Sequence, residues 1–350
     1  MSQTHIYASL SSVNSIRLLR LQSCSCDEPI SCSLVVVDDH AVAPEYYALS
    51  YCWGDANDKA ELILNGTSFS VTKSLYAALG RLLEMTELPL VWADAICINQ
   101  DNHLERNQQV SIMRQIYQHS SRVYIWAGHS NEYSSSALKL IRFIGHGCCM
   151  EAYGLVSSPA SWLAKLRQDV DRKEVVMNAY PVKPEEIPRT NWEAFWQFYQ
   201  AGWFFRVWVI QEVQSSPHVW LIRGKEEIEW DFVALAATWV WHAQGRDSTA
   251  RWRKHYFPSY TGFQNAGFMG NQSLRTRREA PFPAMLNLVR RFRSSDPRDK
   301  VFAVLQYPII QIPGDSECKS DGTMYPSDSS DNVSIPRRIR YYAHSHHARH

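Results

Sequence analysis

The chain has 350 residues, 45% hydrophobic and 20% charged, enough apolar side chain for one large packed domain or two ordinary ones. Thirty-six Lys and Arg against 35 Asp and Glu leave a net charge of +1, which excludes a global pull towards nucleic acid or an anionic membrane. The eight cysteines form no pair of CxxC motifs, and no His follows Cys24, Cys26 and Cys32 at zinc-finger spacing; no metal site is expected.

No apolar run reaches signal-peptide or membrane-spanning length, so free thiols in a reducing cytoplasm are expected. "IRLLRL" (Ile16–Leu21) and "SCSLVVVDD" (Ser31–Asp39) read as strands around a polar turn. "YYALSYCWGD" (Tyr46–Asp55) is an aromatic-rich strand running into Gly54-Asp55. "ELILNGTSFSV" is a hairpin, because Asn65-Gly66 supplies the positive φ of a two-residue turn. Thr72 is placed to cap the next helix, where Leu75, Ala78, Leu79, Leu82 and Leu83 recur at helical spacing.

"PLVWADAI" is an apolar strand with one carboxylate, Asp94. A helix follows over about Leu104–Tyr117, with Val110, Met113, Ile116 and Tyr117 on one face, and "SRVYIWAG" (Ser121–Gly128) is the next strand. This alternation predicts crossovers and a mainly parallel sheet, with ligands beyond the strands' carboxyl ends. Both the Trp53-Gly54-Asp55 turn and the polar run after Asp94 fall at such ends. From about 150 to 190 the pattern weakens into an insertion. Asn191–Val213 is helical and aromatic with a break near Gly202. "HVWLIRGKEEIEW" is a hairpin about Gly224-Lys225, and "DFVALAATWVWHA" is a helix. "FPAMLNLVRRFRSSDPRDKVFAVLQ" is a helix, a Pro-bearing loop and a short helix.

Four stretches, "YYALSYCWGD", "VWADAICINQDNHLERNQQVSIMRQIY", "WFFRVWVIQEV" and "SDPRDKVFAVL", resemble the fungal heterokaryon incompatibility (HET) domain, in the family's order, over roughly Ile16 to Leu305. The resemblance implies a role in non-self recognition, where activation leads to growth arrest or cell death. More distantly, "ALSY" and "VWAD" are similar to the first two strands of Toll/interleukin-1-receptor (TIR) domains. "IYQHSSRVYIWAG" is similar to their helix leading into a strand, and "WFFRVWVIQE" to their segment with a Trp and a following Glu. In enzymatic TIR domains that Glu drives NAD cleavage.

The fold expected is therefore α/β: a mainly parallel central sheet flanked by helices, TIR-like, with an N-terminal β-hairpin and a helical C-terminal half. An extension covers 1–14, the HET domain 15–230, a helical part 231–307 and a disordered tail 308–350. On this resemblance NAD is a candidate substrate rather than a cofactor. The active form would be a homo-oligomer with an unidentified protein activator, and neither membrane nor nucleic acid is an expected partner.

Cleavage of NAD releases nicotinamide as a neutral base, so no general acid is needed; the ribosyl cation must be stabilised instead. Glu212 is the candidate carboxylate, with Trp203, Phe204 and Trp208 excluding water near it. Trp208 precedes it by one helical turn, which would place both on one face. Tyr51 and Trp53 are candidate stacking platforms beside Gly54, and Arg206 or Arg106 could meet the pyrophosphate.

Each residue also has a plainer reading. Glu212 could be a surface carboxylate paired to Arg206 or Arg223. Asp94 could cap the next segment or hold a buried Arg. Asn99, Gln100 and Asp101 read as a hydrogen-bonded loop; Asn102 stands at capping-box spacing from Glu105, and Glu105-Arg106 would brace the strand ends. Asp296, Arg298 and Asp299 of "DPRDK" read as a loop and helix cap with an ion-pair network. Cys52 and Cys97 flank the same region without a nearby His. No GxxxxGK[ST] or GxGxxG occurs, which disfavours phosphate-loop ATPases and dinucleotide oxidoreductases.

Overall fold

The computed structural model describes residues 6–22, 28–85, 90–153, 182–216, 218–246, 261–274, 280–305 and 310–311. Most of the expected insertion (154–181), nearly all of the expected tail, and the arginines at 275, 277 and 278 lie outside the described residues.

Nine strands make one sheet. They are β1 (Ile16–Gln22), β2 (Ser31–Val37), β3 (Tyr47–Tyr51), β4 (Lys59–Leu64), β5 (Thr67–Thr72), β6 (Leu90–Trp92), β7 (Arg122–Trp126), β8 (Val219–Arg223) and β9 (Glu226–Glu229). Their spatial order is β5-β4-β2-β1-β6-β3-β7-β8-β9. Pairing is parallel through the block β6-β3-β7-β8 and between β2 and β4, and antiparallel elsewhere. The expectation of a mainly parallel sheet is thus corrected. Three pairs of sequence-adjacent strands, β1-β2, β4-β5 and β8-β9, are antiparallel hairpins, because a short turn returns the chain alongside itself.

The N-terminal hairpin is likewise no decoration. β1 is inserted beside β6, with Leu19 opposite Val91. Its neighbouring residues Ile16, Arg17, Leu18 and Leu19 point to alternate faces and are all buried, so β1 needs cover on both sides, and a place inside the sheet gives it that.

The parallel block positions the candidate site. The chain runs β3, β6, β7, β8, but in space β6 lies on one side of β3 and β7 on the other. Connections therefore leave β3 and its neighbour β7 on opposite courses, and the crevice beyond their carboxyl ends is where a doubly wound sheet receives ligands. α1 (Lys73–Met85) links the β4-β5 hairpin to β6, and Thr72 accepts from the Leu75 amide at 3.4 Å as its cap. α2 (Asp94–Cys97) and α3 (His103–His119) link β6 to β7. α3 buries Gln109, Ile112, Met113, Ile116 and Tyr117, and Val110 is half-buried.

The remaining helices are α4 (Ser134–Tyr153), α5 (Arg189–Phe198), α6 (Val209–Ser215), α7 (Trp230–Arg246), α8 (Thr261–Leu274), α9 (Phe282–Val289) and α10 (Asp299–Leu305). Between α5 and α6 the chain makes a 3-10 turn over Gly202–Phe205, the break expected near Gly202. α4 packs on α5 and α7, and α7 on α8. Among the described residues, no helix is long and apolar enough to cross a membrane.

Candidate active site

The core of the site is Glu212, in the first turn of α6 and only 2% exposed. Its Oε2 accepts a hydrogen bond from Ser50 Oγ, in the penultimate position of β3. Ser50 Oγ in turn accepts from Trp203 Nε1 at 2.7 Å. β3 thus ends with a polar side chain in an otherwise apolar strand, and the aromatic segment 202–212 folds onto that end.

Three further groups act on Glu212 or share its surroundings. Arg206 donates Nη1 to the Tyr51 carbonyl oxygen. Asp94 stands just after β6, partly buried, and accepts from Trp53 Nε1 at 3.1 and 3.3 Å. Tyr117 of α3 donates to the Leu49 carbonyl at 3.2 Å and is fully buried. Burial pushes the Glu212 carboxyl up from 4.5 to about 7. The Arg206 guanidinium and the Ser50 hydroxyl oppose that rise, and Asp94 adds to it. Burial works against the charge of Arg206, yet Glu212 and Asp94 outweigh it and hold its pKa above the usual value. Tyr117 and Tyr51 are pushed well up by burial, with Glu212 and Asp94 adding to the first and Asp94 to the second. The Tyr51 hydroxyl lies beside Asp94 without a partner in hydrogen-bonding geometry.

The structure therefore brings together Glu212, Arg206, Tyr51, Asp94 and Trp53, from three segments far apart in the chain. It does not leave Glu212 on the surface, and Arg223 donates elsewhere, to the Ala127 carbonyl. Trp53 is 42% exposed, so its indole offers an open face while its N–H holds Asp94. Gly54 follows with φ +75, a conformation that favours glycine and lets the strand turn sharply.

Two expected members are elsewhere. Trp208 precedes α6 with helical backbone, and its carbonyl accepts from the Glu212 amide at 3.3 Å, one turn apart as expected, but its indole is engaged by Asp299. Arg106 is exposed in the first turn of α3 and is not among the groups acting on Glu212.

The polar run after Asp94 has its own organisation. Gln100 Nε2 donates to the Asp94 carbonyl at 2.8 Å, and Asn99 Oδ1 accepts from the Asp101 amide at 3.2 Å. Asn102 caps α3 through the Leu104 and Glu105 amides. Glu105 pairs not with Arg106 but with Arg17 of β1, at 2.6 and 3.0 Å, and also accepts from the Asn99 amide at 2.8 Å. A residue next in sequence on a helix points away, whereas β1 lies alongside.

In the Asp296–Asp299 turn, Arg298 binds the Asp296 carboxylate and the Asp299 amide donates to the Asp296 carbonyl at 3.0 Å. That segment leads into α10, whose Phe302 and Ala303 carbonyls accept from Gln211 Nε2 at 3.1 Å. It therefore braces α6 from behind. Cys97 is a poor nucleophile, since burial pushes its thiol up to about 12. Among the described residues, no group of three or more His, Cys, Asp or Glu is placed to hold a metal ion.

Sequence reasoning missed Ser50 and Arg17. Each carried a signal: a polar side chain within an apolar strand must find a partner if it is buried.

A family model described as heterokaryon incompatibility protein (HET) matches residues 46–212, from the approach to β3 to Glu212 itself. The chain is 31% identical over 220 residues to heterokaryon incompatibility protein 6, OR allele, of Neurospora crassa. That match covers 56% of this chain and 31% of the relative, so the chain spans about a third of the relative's length. No solved structure matches. The side chains of the Glu212 cluster all fall within the matched residues, so the candidate site lies in the part of the chain that is similar to the heterokaryon incompatibility (HET) family.

Proposed function

We propose that this chain is a heterokaryon incompatibility effector acting in non-self recognition, and that it arrests or kills the cell by hydrolysing NAD at the nicotinamide N-glycosidic bond. The observation that carries the chemistry is the placement of Glu212: a buried carboxylate bound to Ser50 near the carboxyl end of β3, within electrostatic reach of Arg206 and Asp94. The distant similarity of "ALSY", "VWAD" and "WFFRVWVIQE" to TIR domains supports the same reading.

In the reaction, water adds at the ribose carbon and releases a proton to solvent as the bond to the nicotinamide nitrogen breaks, and the electron pair of that bond neutralises the pyridinium. The ionised Glu212 stabilises the positive charge that develops on the ribosyl group. Arg206 is the residue suited to a phosphate oxygen, and the Trp53 face to a planar base. Activity should rise as pH passes through about 7, with ionisation of Glu212.

The test is release of nicotinamide from NAD by the purified chain, alongside Glu212→Gln, which keeps the shape and removes the charge. Loss of at least a hundredfold in the folded variant is expected. A folded, self-associating wild type without turnover on any nicotinamide dinucleotide would remove the reading.

The closure of the site favours a second reading. Glu212 and Ser50 are almost fully buried, as in a network that braces a domain. On that reading the domain signals by self-association in response to a protein activator, without chemistry. Toxicity would then survive Glu212→Gln and be lost when surface contacts between copies are broken.

A further inference from the structure

Trp203, Ser50 and Glu212 form a chain of hydrogen bonds that runs one way when Glu212 is ionised. An indole N–H donates and never accepts. Trp203 Nε1 sits 2.7 Å from Ser50 Oγ, so the serine oxygen must be the acceptor there. Ser50 Oγ and Glu212 Oε2 are also in hydrogen-bond contact, and all three side chains are at most 2% exposed. An ionised carboxylate can only accept, so against the charged form of Glu212 the serine, while it accepts from the indole, gives its one proton to Oε2. Ser50 lies on β3 and Trp203 on the turn before α6, so two separate elements fix this direction.

We propose that Ser50 is a positioning residue for Glu212: Trp203 commits the Ser50 hydroxyl proton to Oε2, so Glu212 gains or loses its own proton only at Oε1. This rests on the reading of Glu212 as the reacting carboxylate, and it deepens that reading by naming the oxygen that is held and the one that is free. A carboxylate fixed at one oxygen keeps a single orientation towards the strand ends. The bond also favours the charged form, since a hydrogen bond donated to a carboxylate stabilises it.

The experiment is a pH titration of the Glu212 carboxyl by infrared difference spectroscopy, with Glu212→Gln assigning the band. In the wild type, the protonated acid should show a carbonyl stretch lowered by the Ser50 hydrogen bond; a stretch at the position of a free acid overturns the proposal. Ser50→Ala should raise the titration midpoint by about one to two pH units. Trp203→Phe should move it the same way by less, because the freed hydroxyl can turn from Oε2. Ser50→Thr, which keeps the hydroxyl, should return the midpoint towards the wild type. An unchanged midpoint in folded Ser50→Ala overturns the proposal; should that variant not fold, the wild-type stretch and Trp203→Phe decide it. NAD turnover is measured separately. Shifted midpoints without turnover would remove the proposed reaction and keep the Ser50 bond, and turnover with unshifted midpoints would do the reverse.

Discussion

Two glutamates occupy equivalent places in this fold and have opposite surroundings. Glu105 lies in the first turn of α3, Glu212 in the first turn of α6, and each is drawn towards the sheet. Glu105 is fully provided for: Arg17 binds both its oxygens, and the Asn99 amide adds a third donor. The arginine is itself satisfied, giving its other bonds to the carbonyls of Ala8 and Cys97. Glu212 has one donor, Ser50, while the nearby Arg206 spends a hydrogen bond on the Tyr51 carbonyl instead. Burial of a carboxylate alone is therefore not what distinguishes a reactive group; the donors that answer the burial matter too. Burial raises the Glu212 pKa towards neutrality, and Arg206 and the single Ser50 bond offset only part of that rise.

The largest effect should come from breaking the satisfied pair. Arg17→Met leaves Glu105 buried and without its main partner, a loss of about 3–5 kcal/mol. Urea denaturation of the single variant and of Arg17→Met with Glu105→Leu checks this. The double variant should recover much of the loss, since it removes both charges. A single-variant loss below about 1 kcal/mol would mean that the pair carries no structural weight.

The under-provided glutamate should announce itself through pH. Its folded pKa lies above its unfolded one, so its contribution to stability is fully present below about pH 4.5 and is lost as pH rises through about 7. The full swing is about 3 kcal/mol. Glu212→Gln should remove that slope, so variant and wild type should diverge between acid and mildly alkaline buffer, with the wild type the less stable at high pH. Parallel stability curves for the two would mean that Glu212 is as well provided for as Glu105.

How much of this was legible beforehand follows from the range of each force. Local features were. The Asn65-Gly66 turn has φ values of 51° and 79°, as the dipeptide demands, and the helix face of Met113, Ile116 and Tyr117 follows its period. Sheet neighbours were not. An apolar run such as "LVW" is equally consistent with a parallel or an antiparallel neighbour, and nothing local says that β1 will lie beside it. The site was half legible. Glu212, Asp94 and Trp53 stood in recognisable motifs, but nothing local to Trp208 says that its indole will meet Asp299. Ser50 was overlooked because its significance is a contact across 162 positions of sequence.

The smallest effect tests how the contrast is set up. Asn102 accepts from the amides of Leu104 and Glu105 at 3.1 and 3.2 Å, with the extended backbone of an N-cap. At α6 the corresponding residue is Trp208, which has no side chain to cap with. Asn102→Ala should cost about 1 kcal/mol, while Asn102→Asp should hold within a few tenths, because a carboxylate caps as well and suits the helix dipole. The informative measurement is the double-mutant cycle with Arg17→Met. A cap that merely starts the helix gives additive losses. A cap that also holds Glu105 in register with Arg17 gives a coupling of about 0.5 kcal/mol or more, because the two variants then remove the same constraint. Such a coupling would trace the difference between the glutamates to their helix starts: a capped first turn presents its carboxylate in one direction, where an arginine can bind both oxygens, and an uncapped one relies on a serine from the neighbouring strand.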